Sequence, residues 1–221
     1  MIFVPDDYYL DAKAKFQRVI PAYSDADFTK MGDEIRKNLM KKENDLLIIR
    51  RSLKTIVLGD WNSPEKMQRL LDIKNSLLKN QLYAETIDKY YDMNKAGGLS
   101  QLQILESCCI MHQLIVFLDG EGPGTITEQN YLSDEYRLHG KVLFFIENGK
   151  FDGLKSNPSS YIKSFPTIVP YASTSLLDTV LTFARLRIYR LAGIIYLQSQ
   201  NGKGLKKSNY EPWKKRLAKR R

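Results

Sequence analysis

Leu46-Leu47-Ile48-Ile49-Arg50-Arg51-Ser52-Leu53-Lys54-Thr55-Ile56-Val57-Leu58-Gly59-Asp60-Trp61-Asn62-Ser63-Pro64 is the stretch on which the reading of the fold turns. Together with the residues before it, it continues an apolar series: Phe28, Met31, Ile35, Leu39, Leu46, Ile49, Leu53 and Ile56, interrupted at Lys42. Spacings of three and four residues bring such side chains to one face of a helix. Ser24, with Asp27 three residues on, has capping-box-like spacing, and Tyr23 and Phe28 stand where a hydrophobic staple would close. The series predicts one long helix from Ser24 to the neighbourhood of Gly59.

Gly59 to Ser63 then reads as a short connection, with Pro64 suited to the first turn of a second helix. Met67, Leu70, Leu71, Leu77, Leu78, Leu82, Ile87, Tyr90 and Tyr91 extend that helix to about Met93. So short a link implies antiparallel neighbours, and residues 24–93 are expected to form a long helical hairpin. Upstream, Asp6 and Asp7 followed by Tyr9, Ala12, Phe16, Val19 and Ile20 predict a shorter helix that Pro21 ends.

Downstream, Gly97-Gly98 breaks the chain and Ser100 with Gln103 forms a capping box. Leu102 to Leu118 reads as a strongly apolar helix, stopped by Gly120-Glu121-Gly122-Pro123-Gly124. Lys141 to Glu147 is β-prone, and Asn148-Gly149 is the favoured pair for a tight hairpin turn, with Lys150 to Leu154 as the return strand. Pro158, Pro166 and Pro170 keep the chain loop-like as far as Ser173. Ser175 and Asp178 open the last helix, Leu176 to Leu197, apolar nearly all round. The expected fold is mainly α: a helical bundle with a long antiparallel helical hairpin, a small β-hairpin insert at 121–172 and a basic C-terminal tail. Residues 1–202 form a single mainly helical domain and 203–221 the tail.

Charge is distributed unevenly. The chain has 34 basic and 25 acidic residues, a net +9. Nine basic residues, Lys203, Lys206, Lys207, Lys214, Lys215, Arg216, Lys219, Arg220 and Arg221, stand after Gly202 against one acid, Glu211, so the tail carries +8 and the body +1. A basic block concentrated in this way points to a polyanionic partner. Tyr210 and Trp213 within it offer stacking faces to unpaired bases. Arg185, Arg187 and Arg190 of the last helix read first as an exposed or acid-paired stripe, and second as a nucleic-acid-binding face continuous with the tail; they rule out a bilayer span by that helix. The same basic clusters would serve as a nuclear-import signal.

No motif names a reaction. Cys108 and His112 share a helical face, but their apolar neighbours Ile110, Leu114 and Val116 place them in a core. Gly120, Gly122 and Gly124 would suit a phosphate loop only with a strand before them and a helix after, and here they are expected to follow a helix. Asp134, Glu135, Glu147 and Asp152 surround the expected β-hairpin without distinctive spacing. Two adjacent cysteines build no disulfide framework, and Met1 to Asp7 lacks a secretory signal, so nucleus or cytoplasm is expected.

These features favour a non-enzymatic nucleic-acid-binding structural or accessory protein of a replication, transcription or packaging assembly, without cofactor or metal. Its tail would grip the phosphate backbone of DNA or RNA without reading sequence. Its helical faces would serve a protein partner or self-association. One alternative is a helical protein–protein interaction subunit whose tail is an import or docking signal. Another is a metal-dependent nuclease built on the four acids.

Overall fold

The computed structural model describes residues 25–94, 97–156 and 164–200. The chain divides into two compact units, Met1–Leu46 and Leu47–Arg221. The expected N-terminal helix around Tyr9 to Ile20 lies outside the described residues, as does the tail from Lys203 onward.

The described chain begins in helix α1 (Asp25–Ser52). It continues through strand β1 (Lys54–Leu58), α2 (Pro64–Lys79), β2 (Tyr83–Thr86), α3 (Asp88–Asn94), α4 (Gln101–Met111) and β3 (Leu114–Leu118). After these come α5 (Pro123–Asp134), a 3-10 segment (Tyr136–Lys141), β4 (Val142–Glu147), α6 (Asn148–Lys155), β5 (Ile168–Tyr171) and α7 (Leu176–Gln200). The five strands form one sheet in the order β2-β1-β3-β4-β5, with every neighbouring pair parallel.

This is an α/β fold, and it overturns the expected helical bundle. The long helix stops at Ser52, and Leu53 to Leu58 is not its continuation. Thr55, Ile56, Val57 and Leu58 are all buried, because a central parallel strand is covered on both faces and loses the polar alternation of a half-exposed one. The antiparallel helical hairpin over 24–93 is therefore absent; α1, β1, α2, β2 and α3 stand in its place. The apolar run to Leu118 splits likewise into α4 and β3, with His112 as the C-cap residue of α4.

The β-hairpin insert is also corrected. Val142 to Glu147 is a strand, but its neighbours β3 and β5 are both parallel to it. A parallel return needs a crossover. Asn148-Gly149 opens α6 instead of turning a hairpin. Pro170 lies in β5, which among the described residues pairs only with β4; an edge strand tolerates the missing N–H.

The sheet is sandwiched between helices. Ile56 and Leu58, Ile115 and Phe117, and Val142, Phe144 and Ile146 face a core shared with Ile104, Leu105, Cys108 and Cys109 of α4 and Leu132 of α5. The Phe117 and Phe144 rings stack there at 5.2 Å. On the opposite face α2 and α7 pack against each other and against the strands, burying Leu70, Ile73 and Leu77 with Val180, Ala184 and Ile188.

Several local signals appear where the sequence placed them. Ser63 caps α2 by accepting from the Lys66 N–H, with Pro64 just inside the helix. Ser100 and Gln103 close a reciprocal capping box on α4. The last helix starts at Leu176. Lys141 closes the other end of α4, its ammonium donating to the carbonyls of Cys109 at 3.2 Å and His112 at 3.1 Å.

Candidate ligand-binding crevice

In a parallel sheet every strand delivers its following loop to the same edge. Sequence order reverses between β1 and β3: from β1 the chain crosses to β2 on one side, and β3 then lies on the other. Ligands of open α/β sheets bind in the crevice outside the strand ends at such a reversal. The two loops here are Gly59 to Ser63 and Asp119 to Gly122, and each begins with an aspartate beside a glycine.

Asp60 is the hub. Its side chain is almost fully buried, and its carboxylate accepts from the Lys66 ammonium at 2.6 Å and from the backbone N–H of Asn62 at 2.9 Å. Across the crevice it accepts from the N–H of Gly122 at 3.2 Å and of Glu121 at 3.4 Å. Burial by itself would raise its pKa, but Lys66 and the N–H groups of Asn62 and Gly122 outweigh burial and hold the carboxyl below the usual range. Gly122 admits this arrangement: a Cβ there would stand 2.7 Å from Asp60 Oδ1 and closer still to the Asn62 amide. Gly59 has φ +153°, and a Cβ on it would meet the Leu118 carbonyl oxygen at 2.9 Å, so both loops need glycine where they touch.

The phosphate-loop reading of Gly120, Gly122 and Gly124 set aside on sequence grounds has the required frame after all. Strand β3 precedes these residues and α5 opens at Pro123. The N–H groups that would greet an anion at that helix N-terminus are instead turned to Asp60, the protein's own carboxylate.

Asp119, equally buried at its side chain, pairs with Lys150 of α6 at 2.6 Å, and Lys150 also lies 3.6 Å from Glu121. Glu147, at the end of β4, accepts from the Ser173 hydroxyl. At the end of β5, burial raises the Tyr171 phenol to about 12, assisted by Glu147 and Asp119 and opposed by Arg69. Tyr171 and Ser173 line a cavity of about 340 Å³ with Arg69, Asp72, Thr174 and Asp178. Carboxylates, ammonium groups, a guanidinium and hydroxyls thus converge on one edge of the sheet.

Two polar atoms beside this edge lack hydrogen-bond partners: the indole Nε1 of Trp61 and Oε2 of Glu128. Glu128 sits on α5 behind the first loop. Burial pushes its carboxyl up to about 8; a hydrogen bond from the Gly59 N–H opposes this and the Asp60 charge adds to it. Among the described residues, no group of three or more His, Cys, Asp or Glu is placed to hold a metal ion.

The residues singled out from sequence are distributed differently. Lys203, Lys206, Lys207, Tyr210, Trp213, Lys214, Lys215, Arg216, Lys219, Arg220 and Arg221 lie outside the described residues. Arg185 donates to the side chain of Asn80, Arg187 is half-buried and donates to the Gly140 carbonyl, and Arg190 is exposed. Residues 185 and 187 project about 200° apart on a helix, so these three do not form one stripe. Of the four acids, Asp134 ends α5 and Glu135 follows it toward the start of β4, whereas Glu147 and Asp152 stand at and beyond the end of β4.

Cys108 and His112 are fully buried, in the core where the sequence placed them. The His112 Nδ1–H donates to the Cys108 carbonyl at 2.7 Å, and its Nε2 lies 3.6 Å from Glu85. Burial holds that imidazole neutral by lowering its pKa.

Asp60, Lys66, Asp119 and Lys150 were missed on sequence. A signal existed: Ile56-Val57-Leu58-Gly59-Asp60 and Ile115-Val116-Phe117-Leu118-Asp119-Gly120 are two β-branched apolar runs, each ending on Gly and Asp. No protein-family model matches the chain, and no curated protein matches it in sequence.

Proposed function

We propose that the Leu47–Arg221 unit is a ligand-binding α/β domain whose site is the crevice over the carboxyl ends of β1, β3, β4 and β5. The observation that carries this reading is the pair of aspartate loops facing each other where the strand order reverses, each aspartate held by its own lysine. The adjoining cavity of about 340 Å³ suits a small ligand. Its lining offers a guanidinium, two carboxylates and hydroxyls, so the ligand is a polar molecule carrying both hydrogen-bond acceptors and donors. A thermal-shift screen of the full chain against nucleotides, sugar phosphates and amino acids tests this. A ligand that stabilises the wild type but not Arg69→Ala or Thr174→Ala supports the crevice. Hits indifferent to both substitutions, or no hit at all, count against it.

A second reading concerns the tail, favoured by its nine basic residues against one acid. The tail contacts a polyanion; nucleic acid, gripped through its phosphates without sequence readout, was the class expected from charge and two aromatics. Binding of oligonucleotides by the full chain and by 1–202 at several salt concentrations measures it. Equal, salt-insensitive binding by both chains removes the reading.

A further inference from the structure

The outer face of α7 is apolar where a surface helix is ordinarily polar. Its inner face buries Val180, Ala184, Ile188 and Ala192. Opposite them Leu186, Ile194 and Leu197 are exposed, Leu186 and Leu197 each to 62%. At 100° per residue these three fall within an arc of about 80°, with Arg190 inside it. Clustered exposed apolar side chains on a folded domain mark a contact surface.

The sequence after the helix identifies the kind of contact. From Thr179 to Tyr210 it contains no acidic residue, and α7 leads into the tail with its nine basic side chains. An apolar face joined to a polybasic segment has the two components of peripheral attachment to an anionic bilayer. Aliphatic side chains enter the boundary between headgroups and acyl chains, and lysines and arginines are drawn to the negative surface. Nucleic acid would use the charges and leave the aliphatic arc in water. Among the described residues no helix is long and apolar enough to cross a membrane, so α7 would lie along the surface.

We infer that the outer face of α7 and the basic tail together dock the protein on an anionic lipid surface. This rests on the polyanion reading of the tail and names the polyanion. The test is co-sedimentation of the full chain with phosphatidylcholine vesicles, alone or with about one-third phosphatidylserine. It is run beside oligonucleotide binding, for wild type, 1–202 and the double variant Leu186→Glu, Leu197→Glu. The wild type should bind only the anionic vesicles, less strongly as salt rises. The double variant should bind them at least about tenfold more weakly, with unchanged thermal stability and unchanged oligonucleotide binding. Vesicle binding by the double variant equal to wild type overturns the role of α7. No vesicle binding alongside tail-dependent oligonucleotide binding overturns the lipid assignment and leaves the polyanion reading standing. Binding to neither overturns both.

Discussion

Replacing Glu128 by glutamine should stabilise the protein, and by more as pH rises. The side chain is 6% exposed, its Oε2 has no partner, and its carboxyl titrates at about 8 in the fold against 4.5 ordinarily. A carboxyl whose folded pKa is raised stabilises the fold fully below its unfolded pKa, and that contribution disappears as pH rises through the folded value. A tenfold difference in proton affinity between folded and unfolded chain is worth about 1.4 kcal/mol, so the wild type loses roughly 4–5 kcal/mol between about pH 4.5 and pH 8.5 through this group. That is a large part of the roughly 5–15 kcal/mol that holds a domain folded. Glutamine has nearly the same volume, can accept from the Gly59 N–H through its carbonyl oxygen, and carries no charge. Urea melts of both proteins at about pH 5.5, 6.5 and 7.5 give the difference in unfolding free energy, which should grow by roughly 2–3 kcal/mol in favour of the variant across that range. His112, neutral in the fold, pulls the other way by losing stability as pH falls, but it is common to both proteins and cancels in the difference. A difference that stays flat, or shrinks as pH rises, would refute the assignment of a buried Glu128 carboxyl whose Oε2 has no partner.

Three further outcomes rest on single contacts. Burial would raise the Glu85 pKa, but Lys89, Tyr83 and Tyr90 outweigh it and depress the carboxyl to about 2, so its contribution is present above about pH 4.5 and is lost as pH falls toward 2. Glu85→Gln should cost about 2–4 kcal/mol at neutral pH by chemical denaturation and flatten the acid limb of the stability profile; an unchanged acid limb would contradict it. Gly122→Ala forces a Cβ against Asp60 Oδ1 and the Asn62 amide, and should lower stability by about 1–3 kcal/mol while weakening any ligand found for the crevice. A variant as stable as wild type would show that the two loops do not touch there. Lys141→Met leaves the last carbonyls of α4 without their cation and should cost about 1–2 kcal/mol in a urea melt, with no change expected if those contacts are not formed in solution.

The position of the crevice also explains why the two loops are so heavily partnered. An aspartate at the end of a buried strand is carried toward the core by the strand that delivers it, and it survives as a carboxylate only with a cation or N–H groups in reach. Lys66 stands six residues after Asp60, in the first turns of α2, and Lys150 stands at the start of α6. Each crossover helix thus supplies the cation for an aspartate at the same edge. The arrangement is pre-formed, and a ligand of the proposed crevice would exchange contacts with charges already held in place.

Local chemistry was readable from the chain. Ser63 with Pro64, Ser100 with Gln103, the burial of Cys108 and His112, the strand from Val142 and the start of the last helix at Leu176 depend on neighbours a few residues away. Each sits where side-chain chemistry and spacing put it. The fold class did not yield to the same reading. Thr55 to Leu58 and Leu114 to Leu118 are buried on both faces, and a strand with no solvent side shows no alternation; it reads as one more turn of an apolar helix. Their true partners are 59 residues apart in sequence, Thr55 opposite Leu114, a distance at which no local spacing gives a signal. The crevice depends on that pairing. Asp60 and Glu121 lie 61 positions apart, and they meet because parallel pairing of β1 with β3 brings both loops to one edge. What the sequence by itself determined was where helices are capped, which residues shun water and where positive charge is concentrated. Only the tertiary structure decided which apolar runs extend into strands and which loops face each other, because long-range burial on both faces of a sheet outweighs local periodicity.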